Sequence, residues 1–111
     1  MIASSTEKIK SARTLAFEAL YEIFEKNAYA NLTIQSILRW CPLKKEERHL
    51  LTELIYGVCR KYNYCLWLIG LISDRPMFKI HPAVRILLAL GIYQIVFLDR
   101  IPESAAVNET V

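Results

Sequence analysis

Residues 82–98 read PAVRILLALGIYQIVFL, and this stretch decides the fold. Pro82 suits the first turn of a helix, where its missing N–H has no partner to lose. From Ile86 to Leu98 the chain is apolar for 13 residues except at Gln94. A helix that is apolar almost all round belongs inside, surrounded by other elements. It is also too short to cross a bilayer, which takes about 20 residues. The stretch therefore predicts a central helix, from about Pro82 to Leu98, in an all-α fold.

The flanking sequence supplies the other layers. A first helix is predicted from about Glu7 to Lys26, after the cap candidates Ser4, Ser5 and Thr6. Ile9, Ala12, Ala16, Ala19, Leu20, Ile23 and Phe24 fall on one face, and Lys10, Ser11, Glu18, Glu22 and Glu25 fall opposite. Asn27-Ala28-Tyr29 is a connector. A second helix covers about Ala30 to Trp40 and ends at Cys41-Pro42. The third starts near Leu43 with KKEERHLLTELIYGVCRKY, and its apolar arc runs through Leu50, Leu51, Leu54, Ile55, Val58, Cys59 and Tyr62. A fourth, YCLWLIGLIS, stops at Asp74-Arg75-Pro76, and the central helix is the fifth. Pro102 and Glu103 open a sixth that breaks off at Val111. Gly57, Gly70 and Gly91 lie inside predicted helices, where each costs about 1 kcal/mol relative to Ala, so close helix approach is expected at these sites.

Composition agrees with one helical domain. The 111 residues are 54% hydrophobic with three Gly and four Pro, and the sequence carries no strand pattern or internal repeat. Net charge is +3, and the surplus sits in residues 41–80, where seven basic groups face four acidic ones. A mild basic excess suits nucleic acid without specifying it. Cys41, Cys59 and Cys65 form no CxxC pair, which argues against a zinc knuckle and for free thiols in a reducing cytoplasm. The N-terminus has no signal-peptide pattern, so a cytoplasmic location is expected.

Catalytic constellations are sparse. No glycine-rich loop cradles a phosphate, a dinucleotide or S-adenosylmethionine. Glu46 and Glu47 are adjacent and diverge on a helix. His49 and Glu53, one turn apart, read as a solvated ion pair, and His81 as part of the start of the helix at Pro82. Read from its residues, the chain is not an enzyme.

The basic residues carry more. On the third helix Lys45, His49, Thr52, Tyr56, Arg60 and Asn63 share the polar arc, next to Lys61, with Tyr56 near its middle. A ring set among cations stacks an unpaired RNA base while the cations hold phosphates, unless Tyr56 simply packs on another helix. Arg13 falls within the apolar arc of the first helix: it either snorkels, or forms with Lys8 and Lys10 a basic mouth for RNA. Arg75, Lys79, Arg85 and Arg100 read as solvated surface.

Three segments carry a family resemblance: residues 11–38 (SARTLAFEALYEIFEKNAYANLTIQSIL), 52–76 (TELIYGVCRKYNYCLWLIGLISDRP) and 83–111 (AVRILLALGIYQIVFLDRIPESAAVNETV). They resemble the N-terminal domain of the RsmB (Sun/Fmu) family of 16S ribosomal RNA (cytosine-C5)-methyltransferases, a domain with the NusB-like helical fold. The resemblance implies a bundle of five full helices and a truncated sixth over residues 1–111, with the closing helices and the catalytic domain absent. It implies that S-adenosylmethionine and the catalytic cysteines belong to that absent domain, so this fragment needs no cofactor and none of its own cysteines is catalytic. It places Arg13 at the family's "AR" position, which strengthens the RNA reading of helix one. The implied role is an accessory domain that holds 16S RNA for the catalytic domain in cis. Alternatives are a free-standing NusB-type antitermination factor and a structural module that braces the catalytic domain. A bundle cut within its sixth helix is further expected to self-associate. The RNA-binding candidates are Lys8, Lys10, Arg13, Lys45, Tyr56, Arg60 and Lys61, and no metal site is expected.

Overall fold

The computed structural model describes residues 11–98, and among them there are four α-helices and no strand. These are α1 (Ala12–Lys26), α2 (Ala30–Trp40), α3 (Lys45–Ile72) and α4 (Pro82–Tyr93). A single 3-10 turn, Met77–Lys79, leads into α4, and a π-helical turn, Gln94–Leu98, continues it. No helix among the described residues is long and apolar enough to cross a membrane.

Helix ends follow local chemistry. Ser11 is extended (φ −75°, ψ 164°), and its hydroxyl accepts the Thr14 N–H at 3.2 Å. It is therefore the N-cap of α1 and not a residue of the polar face, as the sequence pattern had it. The cap candidates Ser4, Ser5 and Thr6 lie outside the described residues. Asn27 ends α1 in the left-handed conformation (φ 60°), which asparagine tolerates, and the Ala28 N–H donates to the Glu22 carbonyl at 3.1 Å. His81 starts α4 as expected: its Nδ1 accepts the Ala83 N–H at 3.1 Å, with Pro82 in the first turn.

The main departure is in the helix count. The expected third and fourth helices run on as one element of 28 residues, but two helical stretches meet in it across a kink at the non-helical Lys61 (φ −109°, ψ 15°), close to the expected junction. The sequence RKYNY at that point holds no proline or glycine, and Lys61 is the residue of the element with non-helical backbone angles. The expected sixth helix lies outside the described residues.

The core is built from α1, α3 and α4. Leu15, Ala16 and Leu20 of α1, Leu51, Leu54 and Val58 of α3, Ile86 and Leu90 of α4 and Ile34 of α2 belong to one buried cluster. Each fully buried aliphatic side chain of this kind contributes roughly 1.5–3 kcal/mol. Helix α4 does pack against both α1 and α3, but it is not enclosed by the described residues. Its outer face keeps Val84, Leu87 and Leu88 exposed, Leu87 at 52%.

One contact sets the α3–α4 crossing. Tyr93 is buried, and its ring lies across α3 at Gly57: a Cβ there would sit 2.0 Å from the Tyr93 hydroxyl oxygen. That hydroxyl donates to Glu53 Oε2 at 2.5 Å. Glu53 is thus engaged by Tyr93 and not by His49, because the bundle brings a buried donor to it that local helix spacing does not show. The expected close approach holds for Gly57 alone. A Cβ at Gly70 or Gly91 would meet nothing within 4 Å.

Two outcomes follow from this crossing. Gly57→Ala should destabilise the fold by roughly 1–3 kcal/mol despite alanine's better helix propensity, because the buried Tyr93 ring has to move. Gly70→Ala should be neutral or stabilising by up to about 1 kcal/mol, and urea unfolding of the two variants checks the contrast. Burial, then the hydrogen bond from Tyr93 to Glu53 and the Glu53 charge, push the Tyr93 hydroxyl up to about 12. Its folded value exceeds the ordinary value of about 10, so its contribution is complete below about pH 10 and lost as pH rises toward 12. The unfolding midpoint of the parent chain should fall more steeply over that window than that of Tyr93→Phe, which itself should cost about 1 kcal/mol at neutral pH.

Candidate nucleic-acid interface

The N-cap at Ser11 places Arg13 in the first turn of α1, where the side chain is exposed. Its Nε donates to Gln94 Oε1, and Gln94 Nε2 in turn donates to the Leu90 carbonyl at 3.2 Å. Arg13 therefore neither snorkels freely nor lies within the core. One edge of its guanidinium is fixed on the end of α4, beside an open groove of about 330 Å³ between α1 and α4. An arginine held through Nε keeps its terminal N–H donors for an anion.

Two cations of α3 approach the same end of α4. The Arg60 charge lies close enough to Tyr93 to oppose the upward push on its hydroxyl. Lys61, at the bend, holds its Nζ 5.3 Å from the centre of the Phe97 ring, a cation–π contact. Tyr56 sits one turn before Arg60 and is 40% exposed, so its ring is not packed away against another helix. Arg13 and Lys61 are thus anchored, by two different interactions, on residues 94–97, and the Arg60 charge lies near Tyr93.

Lys45 is not part of this group. It shares the polar arc, but it is the first residue of α3, eleven positions before Tyr56 and so about 16 Å away along the axis. Lys8 and Lys10 lie outside the described residues. Arg85, read from sequence as solvated surface, is half-buried. Its Nη1 donates to the carbonyls of Met77 (3.1 Å) and Ile80 (2.9 Å), which ties the turn before α4 in place. It also lies near Tyr62, whose hydroxyl burial pushes up and Arg85 holds back. Tyr62 stacks on Phe24 with ring centres 4.0 Å apart. Arg85 is a clamp inside the bundle, not a free cation.

Sequence reasoning missed Gln94 and Phe97 as anchors. Gln94 was visible as the polar break in an apolar run, but which cation it would hold depends on how α1 lies against α4. Phe97 carried no signal, being one apolar residue among many. Among the described residues no three of His, Cys, Asp or Glu group to hold a metal ion. Burial pushes the thiols of Cys59 and Cys65 up, the reverse of what a reactive thiolate needs. What the surface offers chemically is fixed positive charge and exposed rings.

Comparison with known proteins gives this surface a setting. The chain is 42% identical over 101 residues to the probable ribosomal RNA small subunit methyltransferase B of Synechocystis sp., covering 91% of this chain and 23% of that protein. It is 36% identical over 104 residues to the probable ribosomal RNA small subunit methyltransferase B of Bacillus subtilis, covering 94% and 23%. The ribosomal RNA small subunit methyltransferase B of Cronobacter sakazakii is 30% identical over 105 residues, 95% of this chain and 24% of that one. The chain thus spans about a quarter of the length of these curated relatives. No solved structure matches it. The NusB family matches residues 10–111, and with the helical bundle and these relatives it is plain that the chain belongs to the NusB family.

Proposed function

We propose that this chain is the RNA-binding accessory domain of an S-adenosylmethionine-dependent 16S ribosomal RNA (cytosine-C5)-methyltransferase of the cytoplasm. One observation carries the reading: Arg13 of α1 and Lys61 of α3 are both held on residues 94–97 at the end of α4, with Arg60 next to Lys61 in the chain. The domain holds phosphates with these cations and positions the RNA for a catalytic domain in the rest of a longer chain. Lys8, Lys10 and Lys45 extend the charge as secondary contacts. Phosphate contacts of this kind supply affinity and register, not base identity. The relatives named as small-subunit methyltransferases support this over a free-standing antitermination factor, since the chain spans only about a quarter of them.

The described residues do not fit S-adenosylmethionine. Gly57 is covered by Tyr93, and Gly70 and Gly91 are inside helices, so no glycine-rich turn is available to cradle it. No step is assigned to the cofactor within this domain.

A second reading rests on a different observation. The exposed Val84, Leu87 and Leu88 on α4, with Ile95 in the turn after it, suit a module that braces a catalytic domain without touching RNA. Titration of the chain into a labelled 16S hairpin and an unrelated hairpin, at low and physiological salt, separates the two readings. The RNA reading expects preference for the 16S hairpin, affinity that falls with salt, and about a tenfold or greater loss in Arg13→Glu combined with Lys61→Glu. If that double variant folds, as its circular dichroism would show, and binds the 16S hairpin as tightly as the parent, the bracing role stands instead.

A further inference from the structure

We propose that the exposed stripe Tyr56–Arg60–Tyr64–Trp67 of α3 is a stacking platform for unpaired nucleotides of single-stranded RNA. The proposal rests on the RNA-binding reading above and adds the kind of RNA bound and the residues that distinguish it.

Tyr56 and Arg60 share a face of the stretch before the kink, Tyr64 and Trp67 share a face of the stretch after it, and Phe97 is met by both Lys61 and Tyr64, which sets the two pairs side by side. The stripe runs through the bend at Lys61 and becomes more exposed along its length, from 40% at Tyr56 to 44% at Tyr64 and 57% at Trp67. Large aromatic rings left in water on one face are a surface with a use.

The rings are also fixed from behind. Tyr64 and Trp67 are in contact, with centres 5.7 Å apart. Tyr64 meets the Phe97 ring edge-on at 5.6 Å, and Phe97 stacks on Tyr93 at 5.4 Å. Tyr93 is held in turn by Gly57 and Glu53. The outer rings are thus the exposed end of a ladder rooted in the core, and a base that stacks on them has little side-chain freedom to freeze.

Charge selects the occupant. From residue 54 to residue 73 the chain carries Arg60 and Lys61 and no acidic residue. Glu53, at the near end, already accepts from Tyr93. A row of rings flanked by cations matches a polyanion with exposed base faces better than it matches an apolar protein surface. Bases within a duplex stack on each other and present no face, so the platform takes unpaired nucleotides.

The test measures binding of the chain to a labelled short oligouridylate and to a blunt duplex RNA of equal length, at physiological salt. The parent should prefer the single strand. Trp67→Ala should weaken single-strand binding about tenfold, within the range expected for one lost stacked base, and change duplex binding less than about twofold. Trp67→Phe should retain most of the affinity, and Tyr64→Ala should show the same selectivity of loss as Trp67→Ala. If Trp67→Ala leaves the single-strand affinity unchanged while Arg13→Glu weakens both RNAs, the platform is wrong and the RNA-binding reading survives. If the parent binds neither RNA, both fall. If Trp67→Ala leaves RNA binding intact but abolishes a concentration-dependent increase in sedimentation coefficient, the stripe is a contact between proteins and the proposal is overturned.

Discussion

The crossing of α3 and α4 at Gly57 and Tyr93 is the constraint on which the rest of this structure depends. A side chain of any size at position 57 would occupy space the Tyr93 ring already fills. Without that side chain the ring lies flat across the helix, and its hydroxyl reaches the Glu53 carboxylate. A buried phenol has to find an acceptor, and a carboxylate gives a short, charge-assisted one. The contact fixes the register of the two helices, because sliding α4 by one residue would turn Tyr93 away from the gap.

Once Tyr93 is fixed, the turn that follows it becomes an anchor for the surface. Gln94 holds Arg13, and Phe97 receives Lys61 and the edge of Tyr64. Residues from the beginning of α1 and the middle of α3 are thus brought to one place by a short segment that is itself apolar. Cations tied in this way lose little conformational entropy when they meet an anion, which is the advantage of preorganisation in binding. Arg85 shows the opposite use of the same residue type: both its main-chain bonds point inward and stabilise the turn that launches α4.

Family membership and the surface converge from independent directions. The relatives are named as small-subunit ribosomal RNA methyltransferases, and this chain spans about a quarter of them. On the function proposed above, a small helical domain with tethered cations and outward rings would hold RNA for a reaction centre elsewhere. The uncovered apolar residues Leu87, Leu88 and Ile95 form a second surface, which borders the groove of Arg13 at Leu87.

Much of this was legible in the sequence. The apolar run of residues 86–98, broken only at Gln94, required helices around it, and capping chemistry placed the start of α4, because both depend only on neighbours in the chain. Family resemblance in the three quoted segments pointed to the same fold. Other features depend on distant contacts and became visible only in the bundle. The kink at Lys61 joins the two helical stretches into one element without a loop, which RKYNY, with neither proline nor glycine, does not announce. Glu53 turns from a surface ion pair into the acceptor for a residue forty positions away. Lys45 and Tyr56 look like one site on a helical wheel, yet a wheel discards the axial distance that separates them. Periodicity determines which face a residue occupies; only tertiary packing decides what lies opposite that face, and so which cations and rings become a site.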